Sequence, residues 1–307
     1  MPKRGCHDAA APFRFWQHMI DKTGFSFIMN EKSNRLVSAM RFLMYPNPAS
    51  AEACSLSAAL TQQLLQKGQQ VCAADQPELA DMAVVMGGDG TVLRAIRILR
   101  PVTKPIWSIN CGHLGYLTDC PKEQALGALT KILKNEFHLE HRFQLSGKLM
   151  NGTKVSALNE ILFHRGACMH ALSIEVLVNG TLALKYRGDG LLLCTPSGST
   201  AYNLSAGGPV LMPQLELIAL TPICAQSLSA TPIVVSAHDV VQVKWRINAD
   251  DKQEDLPNLV TDGLERYLLP WVGSLELNSN MPSIQLVRTQ ENDFYNRLQH
   301  RMHWNAE

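Results

Sequence analysis

A carboxylate set among glycines is the side chain in this sequence best placed to do chemistry: Gly87-Gly88-Asp89-Gly90-Thr91 follows the apolar run Ala83-Val84-Val85-Met86 and leads straight into a helical pattern. Glycines let the backbone bring its N–H groups close to a ligand, and a new helix turns free N–H groups and partial positive charge toward the same place. An anion such as a phosphate suits that turn. An acid in its middle does not, unless a metal or a reacting hydroxyl lies between acid and anion. Two better-known glycine loops do not fit. No Lys followed by Ser or Thr comes after the glycines, which excludes the Walker cradle. Leu93 stands where a dinucleotide fingerprint needs a third small residue, and Asn110-Cys111 occupy the stretch where its ribose-binding acid belongs. Taken alone, the motif also allows Asp89 to be no more than the cap of the helix carrying Val92, Leu93, Ile96 and Leu99.

Two further constellations lie downstream. Asn159-Glu160 heads the apolar run Ile161-Leu162-Phe163. A carboxylate accepts from two hydroxyls while an amide both donates and accepts, so the pair can grip a ribose diol. The pair alone also reads as a turn Asn beside a surface Glu. The second is the run from Asp189 to Pro209, where apolar Leu191-Leu192-Leu193-Cys194 opens into Thr195-Pro196-Ser197-Gly198-Ser199-Thr200-Ala201-Tyr202. A linker would lack both the buried lead-in and the central tyrosine. The hydroxyls and glycine N–H groups suit ribose and phosphate oxygens, and Tyr202 offers a face for stacking on a ring.

The elements that must position these residues fall into two kinds. From Arg41 to about residue 136, strand-like runs (Phe42-Leu43-Met44-Tyr45, Gln70 to Ala73, the run into Gly87, Ile106 to Ile109) alternate with helical patterns over residues 51–67, up to Leu99, and 122–135. That alternation predicts a parallel sheet covered by helices, with ligands at the carboxyl ends of its strands. Beyond it the period is two: Ile174, Val176 and Val178 point one way while Glu175 points the other, before the hairpin pair Asn179-Gly180, and Val241, Val243, Trp245 and Ile247 repeat the pattern. The expected domains are an extension of uncertain structure at 1–39, an α/β domain at 40–136, a β-rich domain at 137–285 and a C-terminal segment, 286–307, packing back on them through Phe294, Leu298 and Met302. The acidic stretch Asp250 to Asp255 reads as a solvated hairpin loop.

At 307 residues, 46% hydrophobic and 18% charged, the chain can bury two cores. A net charge of +1 gives none of the basic surplus of nucleic-acid or acidic-membrane binders, which points to small-molecule partners. The eight cysteines are scattered without a C-x-x-C pair, so they read as reduced core thiols, with no metal site or disulfide framework suggested. The sequence carries no apolar stretch of membrane-span length and no signal core, so the expected location is the cytoplasm.

In order and spacing, Gly87-Gly88-Asp89-Gly90-Thr91, Asn110-Cys111-Gly112-His113-Leu114-Gly115-Tyr116-Leu117-Thr118-Asp119, Asn159-Glu160 and the Asp189 to Pro209 run together resemble the ATP-NAD kinase family. The resemblance covers residues 41 to 306 and leaves the extension outside. It implies an α/β N-terminal domain with a parallel sheet, a C-terminal all-β, sandwich-like domain, a dinucleotide bound between them, and a homodimer or homotetramer. It also implies a transferase that moves the terminal phosphoryl of ATP, or of polyphosphate, with magnesium or another divalent cation, to the 2′-hydroxyl of the adenosine ribose of NAD, giving NADP. By position, Asp89 becomes the catalytic base, and Gly87, Gly88, Gly90 and Thr91 the phosphate-binding loop. Asp89, Gly90, Tyr116, Asn159, Glu160, His170, Arg187, Asp189 and the segment Thr200-Ala201-Tyr202-Asn203-Leu204-Ser205 become dinucleotide ligands. Many relatives read Asp-Gly-Gln near the end of the β domain, and this chain reads Asp262-Gly263-Leu264, which bears on its relative affinity for NAD and NADH. Two other readings stay open on the sequence: a lipid or sugar kinase sharing the glycine turn, and a dinucleotide sensor that has lost transfer.

Overall fold

The computed structural model describes residues 39–72, 76–100, 104–112, 115–167, 170–247, 256–290 and 294–302. Residues 1–38 of the extension, the acidic stretch at 250–255, and His113 and Leu114 therefore lie outside the described residues. The chain divides into two compact units, one holding Met1–Leu139 and Leu286–Glu291, the other Glu140–Gln285 and Asn292–Glu307.

In the first unit, β1 (Arg41–Pro46), β2 (Gln70–Cys72), β3 (Met82–Met86), β4 (Ile106–Asn110) and the short β5 (Cys120–Pro121) pair in parallel. The helices α1 (Ala51–Gln66), α2 (Asp89–Leu99) and α3 (Ala125–Leu133) connect them. Ser50 caps α1 by accepting from the Ala53 N–H, and Gly68, at φ +72°, takes the left-handed conformation that ends it. Every residue of β3 and β4 is buried, as a central parallel strand covered on both faces must be. β6 (His138–Arg142) carries the chain out of this unit.

The second unit is antiparallel. One six-stranded sheet joins β7 (Leu145–Lys148), β8 (Lys154–Ala157), β10 (Leu172–Val178), β11 (Thr181–Gly188), β15 (Val241–Arg246) and β18 (Val272–Asn278). The other joins β9 (Glu160–His164), β12 (Gly190–Cys194), β13 (Leu217–Ile223), β14 (Ile233–Ser236), β16 (Asn258–Thr261) and β17 (Glu265–Leu268). Their facing residues share one core: Ile174, Val176, Val243 and Trp245 from the first sheet meet Ile161, Phe163, Leu191, Leu193, Ile218 and Leu259 from the second. Phe163 and Trp245 stack at a ring separation of 5.6 Å. Asn179 and Gly180, both at positive φ, make the predicted hairpin turn between β10 and β11.

The return strand β19 (Ile284–Arg288) pairs in parallel with β4, so the first sheet runs β2-β1-β3-β4-β19-β6 with β5 on β4. A last helix, α4 (Phe294–Met302), falls in the second unit. The core-thiol expectation needs correcting: of the six cysteines described, only Cys120 and Cys194 are buried, Cys54, Cys72 and Cys111 are half-buried, and Cys224 is exposed at positive φ in the loop that leaves β13.

Candidate functional site

In the first unit, β3 ends at Met86 and the chain turns through Gly87 and Gly88 into α2. Gly87 is obligatory. Its φ is +154°, and a Cβ there would lie 2.4 Å from the Thr91 hydroxyl, which folds back over it. A Cβ on Gly88 or Gly90 would meet nothing within 4 Å, so these two leave open space for a ligand. Gly88, not Asp89, is the N-cap, which removes the capping reading of the acid. Asp89 is the first residue of α2, half-buried, and its two carboxylate oxygens accept the backbone N–H groups of Tyr116 and Leu117, each at 2.9 Å. Gly115 makes this possible, since a Cβ there would lie 2.0 Å from Asp89 Oδ1. The predicted phosphate loop and the loop after β4 are thus one structure, joined through the acid. Tyr116 is half-buried, and its N–H is the group that engages Asp89.

In the second unit, Asn159 and Glu160 are both buried, each 8% exposed, so they are not a turn Asn and a surface Glu. Asn159 Oδ1 and Glu160 Oε2 have no hydrogen-bond partner among the described residues. Burial, and then the nearby charge of Asp262, push the Glu160 carboxyl up to about 8. Asp262 takes the local backbone donors: its Oδ2 accepts from Leu158 N–H at 3.0 Å, and its Oδ1 from Asn159 N–H at 2.7 Å and Glu160 N–H at 3.3 Å. It sits at φ +52° and Gly263 at +66°, with Leu264 N–H donating to the Thr261 carbonyl at 2.9 Å, a tight hairpin turn between β16 and β17. The half-buried Leu264 serves this turn through its backbone.

The Thr195 to Ser205 segment is stitched to the same pair. Thr195 Oγ1 donates to the Leu158 carbonyl at 2.5 Å and Thr195 N–H to the Asn159 carbonyl at 2.9 Å. A Cβ on Gly198 would stand 2.3 Å from the Asn159 carbonyl oxygen, so only glycine permits the approach. Beyond it Thr200, Ala201 and Leu204 are half-buried, Ser205 is exposed, and Tyr202 is 43% exposed with its ring free to stack. Asn203 departs from its expected role. It is fully buried, its Nδ2 donates to the Pro209 carbonyl at 2.9 Å and its Oδ1 accepts from Thr221 Oγ1 at 2.7 Å, so its amide braces the loop from within. Asp189 is partly exposed and paired with Arg165 at 2.7 Å, while His170 and Arg187 are exposed beside and on the β10–β11 hairpin. Of the other predicted side chains, Asn159, Glu160 and Thr91 are buried, and the rest are half-buried or exposed.

Sequence reasoning missed three supporting residues and the role of a fourth, Asp262, which it named only for its triplet. Arg165 holds Asp189, Arg142 donates to Ser197 Oγ at 3.2 Å, Asp262 holds the Leu158–Glu160 backbone, and Arg288 donates to the carbonyls of the Tyr116–Thr118 loop. The last three contacts span between 55 and 172 residues of sequence, so no local pattern announces them.

An acid at a glycine-rich strand-to-helix turn, in an α/β unit joined in sequence to an antiparallel unit whose buried Asn-Glu pair keeps two oxygens without donors among the described residues, fits a nucleotide-handling protein of the kinase type. The ATP-NAD kinase N-terminal domain matches residues 17–137, and the ATP-NAD kinase C-terminal domain matches residues 158–288. The chain is 35% identical over 231 residues to the NAD kinase of Photorhabdus laumondii, covering 73% of this chain and 77% of that one. The chain belongs to the ATP-NAD kinase family. Among solved structures its fold is similar to that of yeast NADH kinase complexed with NADH, at a TM-score of 0.79 with 20% identity, 88% of this chain and 89% of that one being covered. It is also similar to an NAD kinase from Archaeoglobus fulgidus in complex with ATP, at 0.71 with 24% identity, covering 85% and 98%. The N-terminal match begins at residue 17, so the family resemblance reaches into the extension that the motifs had left outside. Family membership also decides against the lipid- or sugar-kinase reading.

Proposed function

We propose that this chain transfers the terminal phosphoryl of ATP to the 2′-hydroxyl of the adenosine ribose of NAD, forming NADP, with Asp89 as the base. The observation that carries the reading is the Asp89 carboxylate, fixed by two backbone N–H groups at the first residue of α2 and flanked by two glycines that leave the approach open. Phosphoryl transfer passes through a loose transition state, so placing the hydroxyl and accepting its proton are the main tasks left to the side chains. Asn159 and Glu160 fit a pair of ribose hydroxyls: each keeps a buried oxygen without a donor, and a hydroxyl supplies one. Thr200, Ala201, Leu204 and Ser205 line the dinucleotide, Tyr202 stacks on a ring, and Asp189, Arg187, His170 and Tyr116 are further ligands on this reading.

A divalent cation such as magnesium would accompany ATP and be held by its phosphates, where it would supply charge neutralisation. Assembly as a homodimer or homotetramer and a cytoplasmic location belong to the same proposal; no helix among the described residues is long and apolar enough to cross a membrane. The purified protein, incubated with magnesium, NAD and either ATP or polyphosphate, should yield NADP detectable with an NADP-specific dehydrogenase. No NADP with either donor overturns the assignment.

A further inference from the structure

Arg288 ends β19 and is among the largest fully buried side chains, only 1% exposed. Its guanidinium reaches one short piece of chain: Nη1 donates to the carbonyls of Thr118 at 2.8 Å and Leu117 at 3.2 Å, and Nη2 to that of Tyr116 at 3.4 Å. The same piece of chain faces the other way with its N–H groups, and those of Tyr116 and Leu117 hold Asp89. The Tyr116 carbonyl and the Leu117 N–H belong to one planar trans peptide group, in which the two bonds point in opposite directions. A cation on the carbonyl side therefore turns the Leu117 N–H toward Asp89 Oδ1. It also polarises the peptide so that this N–H is a stronger donor. Neighbouring contacts fix the loop at its far end: Asp119 accepts from Trp107 Nε1 at 3.1 Å, Thr289 N–H at 3.0 Å and Thr289 Oγ1 at 2.6 Å, and Ser108 Oγ donates to the Leu117 carbonyl at 2.8 Å. All of these groups lie in the first unit.

We propose that Arg288 is a positioning residue for phosphoryl transfer, holding the Tyr116–Thr118 backbone so that its N–H groups fix the Asp89 carboxylate. The inference rests on the proposed kinase reading for its catalytic consequence, but not for its geometry. A lysine keeps the charge and loses the planar fork that reaches three carbonyls.

Arg288→Lys should lower kcat by about 10- to 100-fold, since misplacing a reacting group by about 1 Å costs on the order of 100-fold. The KM for NAD should change by less than about 3-fold, a pattern of lost transition-state interaction with binding kept. In an Asp89→Asn background the same substitution should cost less than about 3-fold more, because residues acting through one another are not additive. Amide exchange at Leu117 should quicken in Arg288→Lys while the β3 amides stay protected. A purely structural role would instead give a full additional loss beside Asp89→Asn, or exchange that quickens across the whole unit. Either result, or an unchanged kcat or unchanged Leu117 exchange, overturns the proposal. If Arg288→Lys does not fold, Arg288→Gln carries the same readouts with a neutral donor. If the parent makes no NADP, the kinase reading fails by itself, and Leu117 exchange still decides whether Arg288 holds that amide.

Discussion

The two units treat a carboxylate in opposite ways. In the α/β unit Asp89 receives two backbone N–H groups and stands at a helix N-terminus beside open glycines. In the antiparallel unit Glu160 is buried, and the three backbone N–H groups around it go to Asp262. One oxygen of Glu160 has no donor among the described residues, and its proton is held up to about 8. On the proposed reading the difference separates two tasks. A base that must accept a proton at a fixed point is served by donors that orient it. A group that must recognise hydroxyls is served by being deprived of donors until a ligand brings them.

The contrast breaks most sharply at Asp89. Asp89→Asn should lower kcat by about 10²- to 10⁴-fold, the usual worth of a general base, while isothermal titration still finds NAD binding. Loss of binding in step with turnover would merge the two tasks and refute the division. Gly115→Ala is the next largest test. Its methyl would enter the space of Asp89 Oδ1 and push the carboxylate off its two donors, so kcat should fall about 100-fold with the melting temperature nearly kept. A variant as active as the parent would show that the acid's orientation does not matter.

Asp262→Asn probes the other unit. The amide tolerates the left-handed conformation at φ +52° but loses the charge that three N–H groups now share. Charge-assisted hydrogen bonds are worth about 1.5–3 kcal/mol each, and part of that is recovered by the amide oxygen. NAD affinity should drop roughly 10-fold, about 1.4 kcal/mol, with kcat at saturating NAD little changed. Unaltered affinity would mean that Asp262 closes its hairpin and nothing more.

The division was only partly legible in the sequence. The glycine turn, the alternation of strands and helices and the Asn179-Gly180 hairpin are local patterns, and each is read within a few residues. Asp89 and the Asn159-Glu160 pair stood out by residue type. What stayed hidden is the reason they differ. Asp262 lies 102 residues from Glu160 along the chain, and Arg288 lies 172 from Tyr116, so the groups that supply or withhold donors come together only when the sheets form. Asn203 shows the converse. Its motif marks it as a ligand, yet the turn to Pro209 and the neighbouring strand β13 use up its amide.

The smallest effect is thermodynamic and concerns Glu160 alone. Its folded-state pKa is about 8, against an ordinary value of 4.5. Between those values the native chain keeps a proton that the unfolded chain has released, so native stability falls as pH rises through this window and the full burial penalty is present above it. Below about 4.5 both states are protonated and the side chain contributes no slope. Glu160→Gln removes the titration. Its melting temperature relative to the parent should therefore rise as buffers go from pH 5 to pH 8.5, by about 2–4 °C for each 1 kcal/mol relieved. Ribose hydroxyls donating to the carboxylate favour its charged form, so NAD should narrow that gap by releasing the proton from the parent. A melting difference that is flat across the pH range would mean that Glu160 is already charged and satisfied without ligand, and the two carboxylates would no longer differ in kind.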